Sequence, residues 1–254
     1  MKCKFCYVSF FNKRLNDRSV EIIQRAANLD FDIVTFSGGD PFSKSNFRKA
    51  CIEANRLGLL THVDTNALAI REEDISFIED NIDILGISID GVGETHNKLR
   101  ESKNSFRKIE DVLSSISGLK TTIKVNTILT KENINCLEEL SNFLTQYPQI
   151  SIWSVYQFFP LDAATKFKER YFISNKEFTK RTSFLRENKK LKIELFPFSN
   201  RVTGYLFVNE LGRMFTNSLE GEYLELGSIF TTEIEVLESK LKGLINPRTL
   251  NRYK

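Results

Sequence analysis

Apolar positions along the chain alternate between two spacings. VEIIQRAANL, from Val20, sets them at helical intervals, and FDIVTFS, from Phe31, is a short β-branched run of the kind a parallel sheet buries on both faces. The couplet recurs as NFRKACIEANRLG, closed by Gly58, before LLTHVDTN, and as EEDISFIEDN before DILGISID. It recurs again as SFRKIEDVLSSISG before TTIKVNTIL, and as INCLEELSNFLTQY, with Pro148 beyond its end, before ISIWSVYQFF. Five strands, each preceded by a helix of ordinary length, predict right-handed βαβ connections and one parallel sheet, most of a barrel. In such sheets the strand C-termini share a rim where ligands bind. Just past the five strands stand Ser37-Gly38-Gly39-Asp40-Pro41, Asp64-Thr65-Asn66, Ser88-Ile89-Asp90-Gly91, Asn126-Thr127 and Phe158-Phe159-Pro160, all polar or turn-forming groups.

After Pro160 the rhythm changes. A charged helical stretch near KEFTKRTSFLREN leads to KIELFPF and then to YLFVNELGRMF, where Glu210-Leu211-Gly212 between two apolar runs predicts a hairpin. A last helix is expected near Thr232 to Leu241, with no Pro/Gly/Ser linker before it. The expected organisation is a barrel core over 1–160 and a small α+β extension over 161–254, packed on the core in the same domain.

Composition narrows the picture. A chain of 254 residues with 41% hydrophobic content buries a full core. Lysine and arginine number 36 against 33 acids, a net charge of +3 spread along the chain, which argues against a surface for nucleic acid polymers and for small ligands. No stretch approaches the roughly 18 to 20 apolar residues of a membrane span, and no signal-peptide pattern opens the chain, so a cytoplasmic location is expected. Of four cysteines, Cys51 and Cys136 fall in helical patterns and read as small buried residues, whereas Cys3 and Cys6 form a C-x-x-C pair ringed by Lys2, Lys4, Phe5 and Tyr7. Such a pair belongs to a zinc site, a redox couple or an iron–sulfur ligand set. Zinc lacks the usual company, because His62 lies in a strand and His96 in a loop; a redox couple lacks a preceding strand; an iron–sulfur site lacks a third suitably spaced thiol in this sequence.

KCKFCYVSF, then SGGDPF, DTNAL, SIDGVGETHNKLR and KVNTILTKENI, each of the last four at a strand's C-terminal end, resemble the radical S-adenosylmethionine (radical SAM) superfamily in order and spacing across Lys2 to Pro160. The resemblance implies an α/β fold, a partial (βα)6 TIM-like barrel. It matches Cys3 and Cys6 to the last two cysteines of C-x-x-x-C-x-x-C, so the first cysteine and the barrel's first strand would stand upstream of Met1. It implies a [4Fe–4S] cluster on these thiols, with Phe5 and Tyr7 as a dry wall and Lys2 and Lys4 as compensating charge. S-adenosylmethionine would meet Ser37, Gly38, Gly39 and Asp40 at its amino group. Asp64, Asn66, Ser88, Asp90 and Asn126 would lie near its ribose hydroxyls and carboxylate. Lys124 shares the face of Asn126 by strand alternation, and burying it there demands an anion, from a ligand or from Asp90; it is the candidate substrate contact.

The activity so implied is reductive cleavage of S-adenosylmethionine to a 5′-deoxyadenosyl radical that takes hydrogen from a small substrate, with electrons from a donor such as flavodoxin or ferredoxin. No cysteine follows Cys136, which excludes the members with auxiliary clusters. IWSVYQFFPL, YFISNKEF and FSNRVTGYLFVNELGRMF are similar in order to viperin-like enzymes, which convert nucleoside triphosphates to 3′-deoxy-3′,4′-didehydro forms. Basic residues of that branch correspond here to Ile33, Ile152 and Ser154, leaving Lys124 and Asn126, with Arg201 as a substitute. The competing expectation is a catalytically inert barrel used as a binding module.

Overall fold

The computed structural model describes residues 3–6 and 18–242. Six strands form one sheet: β1 Ile33–Phe36, β2 Leu60–Thr65, β3 Ile84–Ser88, β4 Thr122–Leu129, β5 Ile150–Gln157 and β6 Lys192–Phe196. Their order is sequential and every neighbouring pair is parallel. The crossovers carry α1 Ser19–Asn28 ahead of β1, then α2 Phe47–Arg56, α3 Asp74–Asn81, α4 Glu94–Leu99, α5 Ser105–Ser115 and α6 Leu137–Leu144. This is an α/β partial TIM-like barrel.

KIELF, read in sequence as part of the extension, is instead the sixth strand of the sheet, paired with β5 from Ile152↔Lys192 to Tyr156↔Phe196. The connection to it is broken into short pieces, α7 Lys168–Tyr171, α8 Asn175–Thr182 and 3-10 turns on either side, so no single helical pattern announces a crossover. The extension proper is the three-stranded antiparallel sheet β7 Phe207–Val208, β8 Arg213–Asn217 and β9 Tyr223–Ser228, followed by α9 Ile234–Lys242. The hairpin expected at Glu210-Leu211-Gly212 joins β7 to β8. Among the described residues no helix is long and apolar enough to cross a membrane.

Strand alternation divides the barrel sheet into two chemically different faces. Val63, Leu85, Ile87, Val125, Trp153 and Val155 point to the helices and meet Ile78, Ile109, Leu113, Leu140 and Leu144 in the main core. Burial of each such side chain stabilises by roughly 1.5–3 kcal/mol. The register sets Thr35 opposite His62, Asp64 opposite Gly86, Asn126 between Ser88 and Ser154, and Ser154 opposite Glu194, so the concave face is lined by hydrogen-bonding groups. Cys51 is fully buried on α2, as expected, whereas Cys136 caps the start of α6 and is half-buried.

Candidate active site

Cys3 and Cys6 sit on one tight turn, closed by the Cys6 N–H donating to the Cys3 carbonyl at 3.1 Å. Between them Phe5 drops into an apolar pocket with Leu99, Phe158 and Tyr171, and its ring meets Tyr171 edge-on at 6.1 Å. That pocket gives the Cys3 thiol an apolar wall. Tyr7 and Lys2 lie outside the described residues. Lys4, expected to compensate cluster charge, pairs instead with Glu101 at 2.6 Å on the surface. The cation beside the thiols is Arg100, whose guanidinium lies 5.3 Å from the Phe5 ring centre and whose carbonyl is 3.9 Å from Cys3 Sγ. Burial pushes the Cys3 thiol up to about 11; Arg100 opposes this, and Asp90 and Cys6 add to it.

Arg100 is held from below. Its Nε donates to Asp90 Oδ2 at 2.6 Å, and the other Asp90 oxygen accepts from the Ile128 N–H at 2.8 Å. The Asp90 carbonyl accepts from Asn133 Nδ2 at 2.8 Å, and its N–H donates to His96 Nδ1 at 3.1 Å. Asp90, expected near the cofactor's hydroxyls, therefore lies under the rim as the base of Arg100. The cause is the segment after β3: α4 folds back over the strand ends, carrying His96, which is helical rather than in a loop, and Arg100 with it. Burial works to lower the Arg100 pKa, but Asp90, Cys3 and Cys6 outweigh it and the net shift is upward. Burial, with the Arg100 charge, pushes His96 down to about 4, so the ring is neutral.

The Gly-rich turn divides its labour between backbone and side chain. Ser37, Gly38 and Gly39 are exposed, and both glycines take left-handed φ values of 83° and 64°, which a side chain would strain. Asp40 turns inward: Oδ1 accepts from the Phe42 N–H at 3.1 Å, while Oδ2 accepts from Thr65 Oγ1 at 2.9 Å and the Asn66 N–H at 3.1 Å. Burial raises its pKa against these three donors. It ties the end of β1 to the end of β2 and keeps about one acceptor position for an outside donor. Asn66, half-buried at that junction, accepts from the Leu68 N–H through its own side chain.

Across the concave face runs a chain of polar contacts. Thr35 Oγ1 meets His62 Nδ1 at 3.3 Å, His62 Nε2 lies 3.1 Å from Asp64 Oδ1, and Asn126 Nδ2 donates to the same Asp64 oxygen at 2.6 Å. Gly86 leaves room for this junction: a Cβ there would overlap Asp64 and crowd Asn126 Nδ2 at 2.7 Å. Asn126 Oδ1 is buried and has no partner among the described residues. Ser88, half-buried, shares its face. Further along, Lys124 is fully buried and meets Glu194 Oε2 at 3.8 Å, not Asp90; Ser154 Oγ donates to that oxygen at 2.5 Å. At the rim beyond, Tyr156 stacks on Phe196 at 4.8 Å, and the Arg201 guanidinium lies 5.0 Å from the Tyr156 ring, with Nη1 donating to the Gln157 carbonyl at 2.9 Å. Arg201 Nε is buried with no partner among the described residues.

A family model described as the radical SAM superfamily matches residues 1–144. The chain belongs to the radical SAM superfamily. It is 26% identical over 239 residues to an S-adenosylmethionine-dependent nucleotide dehydratase of Flammeovirga pacifica, covering 88% of this chain and 80% of that one. A protein of the same description from Lacinutrix mariniflava is 24% identical over 238 residues, covering 86% of this chain; the match spans about half of that relative, 48% of its length. Among solved structures, Streptococcus suis SuiB bound to S-adenosylmethionine superposes with a TM-score of 0.75 at 14% identity, over 92% of this chain and 62% of that one. Native anSMEcpe with bound AdoMet gives 0.70 at 16% identity, over 96% and 79%. These likenesses show the fold.

Radical SAM enzymes use a [4Fe–4S] cluster and S-adenosylmethionine, and the donor chemistry here fits both. Two soft thiols, the ligand type of such a cluster, share one turn; burial against the aromatic wall raises the Cys3 thiol, and the Arg100 guanidinium alongside works against that rise. Among the described residues no group of three or more His, Cys, Asp or Glu side chains gathers that could hold a metal ion by itself. For S-adenosylmethionine, an exposed glycine backbone and the unpartnered Asn126 oxygen leave acceptors facing the same rim. Two residues escaped the sequence reading. Arg100 was signalled only by a cation one short helix after a strand-end acid. Tyr223 on β9 has its phenol pushed up by burial, then by the charges of Asp162 and Cys6.

Proposed function

We propose that this radical SAM enzyme dehydrates the ribose of a nucleotide. The observation that carries the reading is the concave face itself: a buried row of hydrogen-bonding side chains ending at Asn126, whose oxygen has no protein partner among the described residues. Rows of this kind suit a substrate rich in hydroxyl groups, because a buried polar group without a partner costs about 1–3 kcal/mol. The two relatives described as nucleotide dehydratases support it, the first over most of its length.

In this reading Cys3 and Cys6 hold cluster iron, Ser37 to Gly39 present backbone to the methionine end of S-adenosylmethionine, and Asp64, Ser88 and Asn126 orient hydroxyls. When bound, the cluster and S-adenosylmethionine supply one-electron cleavage of the sulfonium and hydrogen-atom abstraction. The chain excludes water with Phe5, Phe158 and Tyr171 and fixes the ribose against the concave face, which determines the hydrogen that is taken. Electrons come from a small redox protein such as flavodoxin or ferredoxin, and the dispersed free cysteines suit the reducing cytoplasm. The test is anaerobic reconstitution with iron and sulfide, followed by assay of 5′-deoxyadenosine against a panel of nucleosides and nucleotides. The expected result is that one base series raises 5′-deoxyadenosine and yields a product lighter by one water. No response to any member overturns the reading.

A further inference from the structure

At the rim end of β5 and β6 two buried polar atoms have no partner among the described residues, and they belong to side chains joined by a hydrogen bond. Arg201 is 6% exposed; its Nη1 donates to the Gln157 carbonyl at 2.9 Å, while its Nε is buried and unpartnered. Asn217, the last residue of β8, is 1% exposed. Its Nδ2 donates to the Arg201 carbonyl at 2.9 Å, and its own carbonyl accepts from the Thr203 N–H at 3.1 Å. Those bonds fix the amide, and Oδ1 on its other side is the second buried atom without a partner. One of the two atoms is a donor and the other an acceptor.

The surroundings are aromatic. Tyr156 follows Ser154 by two residues on β5 and so shares the concave face, where it stacks on Phe196 of β6 at 4.8 Å with the ring planes 13° apart. The Arg201 guanidinium lies 5.0 Å from the Tyr156 ring centre and 5.8 Å from that of Phe159. Buried polar groups are normally hydrogen-bonded, so a donor and an acceptor left open on bonded neighbours point to a ligand that supplies an acceptor and a donor along one edge. A heterocyclic base has that edge, and its flat faces suit aromatic neighbours as those of a ribose or a phosphate do not. We infer that Arg201 and Asn217 read the edge of the substrate's nucleobase and set which base the site accepts. The inference rests on the nucleotide reading above and adds to it the part of the site that meets the base. It gives Arg201 to the base and not to the phosphates, the role that the resemblance to viperin-like enzymes suggested for it.

The experiment is equilibrium binding to the anaerobically reconstituted protein with S-adenosylmethionine, using the nucleosides and triphosphates of uracil, cytosine, adenine and guanine, with ribose 5-phosphate and inorganic triphosphate as base-free probes. The wild type should hold its preferred base at least about tenfold tighter than its least preferred one, and methylation of the preferred base on its hydrogen-bonding edge should cost about tenfold. Arg201→Met and Asn217→Leu should each shrink the preference to within about threefold while leaving both base-free probes within about threefold of wild type. Thermal melting confirms that the variants are folded; if they are not, the wild-type ranking and the methylated nucleoside decide alone. A pair that only holds a water, or only braces the β8 end, would weaken every base alike, and an unchanged ranking in the variants overturns the inference. So does a wild type indifferent to the base, or an Arg201→Met variant that loses inorganic triphosphate as steeply as the nucleoside triphosphates. In those cases the nucleotide reading stands. If no nucleoside or nucleotide binds the wild type, both fall.

Discussion

Gly86→Ala adds one methyl group at the point where three strands bring polar side chains together. The new Cβ overlaps Asp64 Oδ1 and stands 2.7 Å from Asn126 Nδ2 and 3.1 Å from His62 Nε2. Asp64 Oδ1 is also the atom that accepts from Asn126 at 2.6 Å and faces His62 at 3.1 Å, so moving it breaks the contact that joins β2 to β4. The residue is buried in mid-strand, paired with Asp64 on one side and Lys124 on the other, so the backbone has nowhere to retreat. Overpacking of this kind costs about 1–3 kcal/mol, and loss of a hydrogen bond to a charged group about 1.5–3 kcal/mol. The stiffer unfolded chain of the alanine variant returns about 0.4–1 kcal/mol. The expected net loss is about 2–5 kcal/mol, read from urea unfolding at neutral pH as a lower midpoint with an unchanged slope. Affinity for S-adenosylmethionine should fall with it, since Asn126 is displaced. A variant within about 0.5 kcal/mol of wild type would refute the claim that this junction is tightly packed.

Other outcomes follow from the same geometry. Because His96 is buried and neutral with a pKa near 4, the unfolded chain binds a proton there that the native state refuses between about pH 6.5 and 4; stability is full above that window and falls by about 3 kcal/mol as pH descends through it. Urea midpoints measured from pH 7 to 4 check this, and His96→Asn should flatten the slope. Arg100→Leu leaves the Asp90 carboxylate buried without its cation and should destabilise by about 3–5 kcal/mol, whereas Asp90→Asn together with Arg100→Leu should recover part of that loss. Cys6→Ala should abolish iron–sulfur absorbance after anaerobic reconstitution while leaving the melting temperature of the unloaded protein within a few degrees; retention of full iron would remove Cys6 from the ligand set.

The parallel sheet was legible because its strands are buried on both faces and its helices on one, two patterns that a sequence displays directly. β6 was not, because KIELF lies at the sheet edge, where its side chains are only partly covered, and because the segment before it is a string of short turns. Three acids at strand ends, Asp40, Asp64 and Asp90, look alike in sequence. Their different fates depend on loops: the turn after β1 folds Asp40 onto Thr65, α4 lays Arg100 on Asp90, and Asp64 alone faces the concave side. Alternation alone showed that Lys124 needs an anion. It could not show that the anion is Glu194, because that depends on β6 joining the sheet.

The guanidinium of Arg25 on α1 donates to the carbonyls of Ile229 and Thr232, each at 3.0 Å, partners 204 and 207 residues away. Leu29 from the same region packs with Met214, Leu226, Ile229 and Leu237. During synthesis, at roughly 5–20 residues per second, the ribosome exposes this helix about ten to forty seconds before its counterpart emerges. Ile23 on the same helix meets Ala50, Ala54 and Leu59 soon after, but for that interval the side carrying Leu29 has no native cover. Nascent chains of this protein should therefore engage a holding chaperone through their first helix, and release from it should coincide with emergence of the final strands rather than with completion of the barrel.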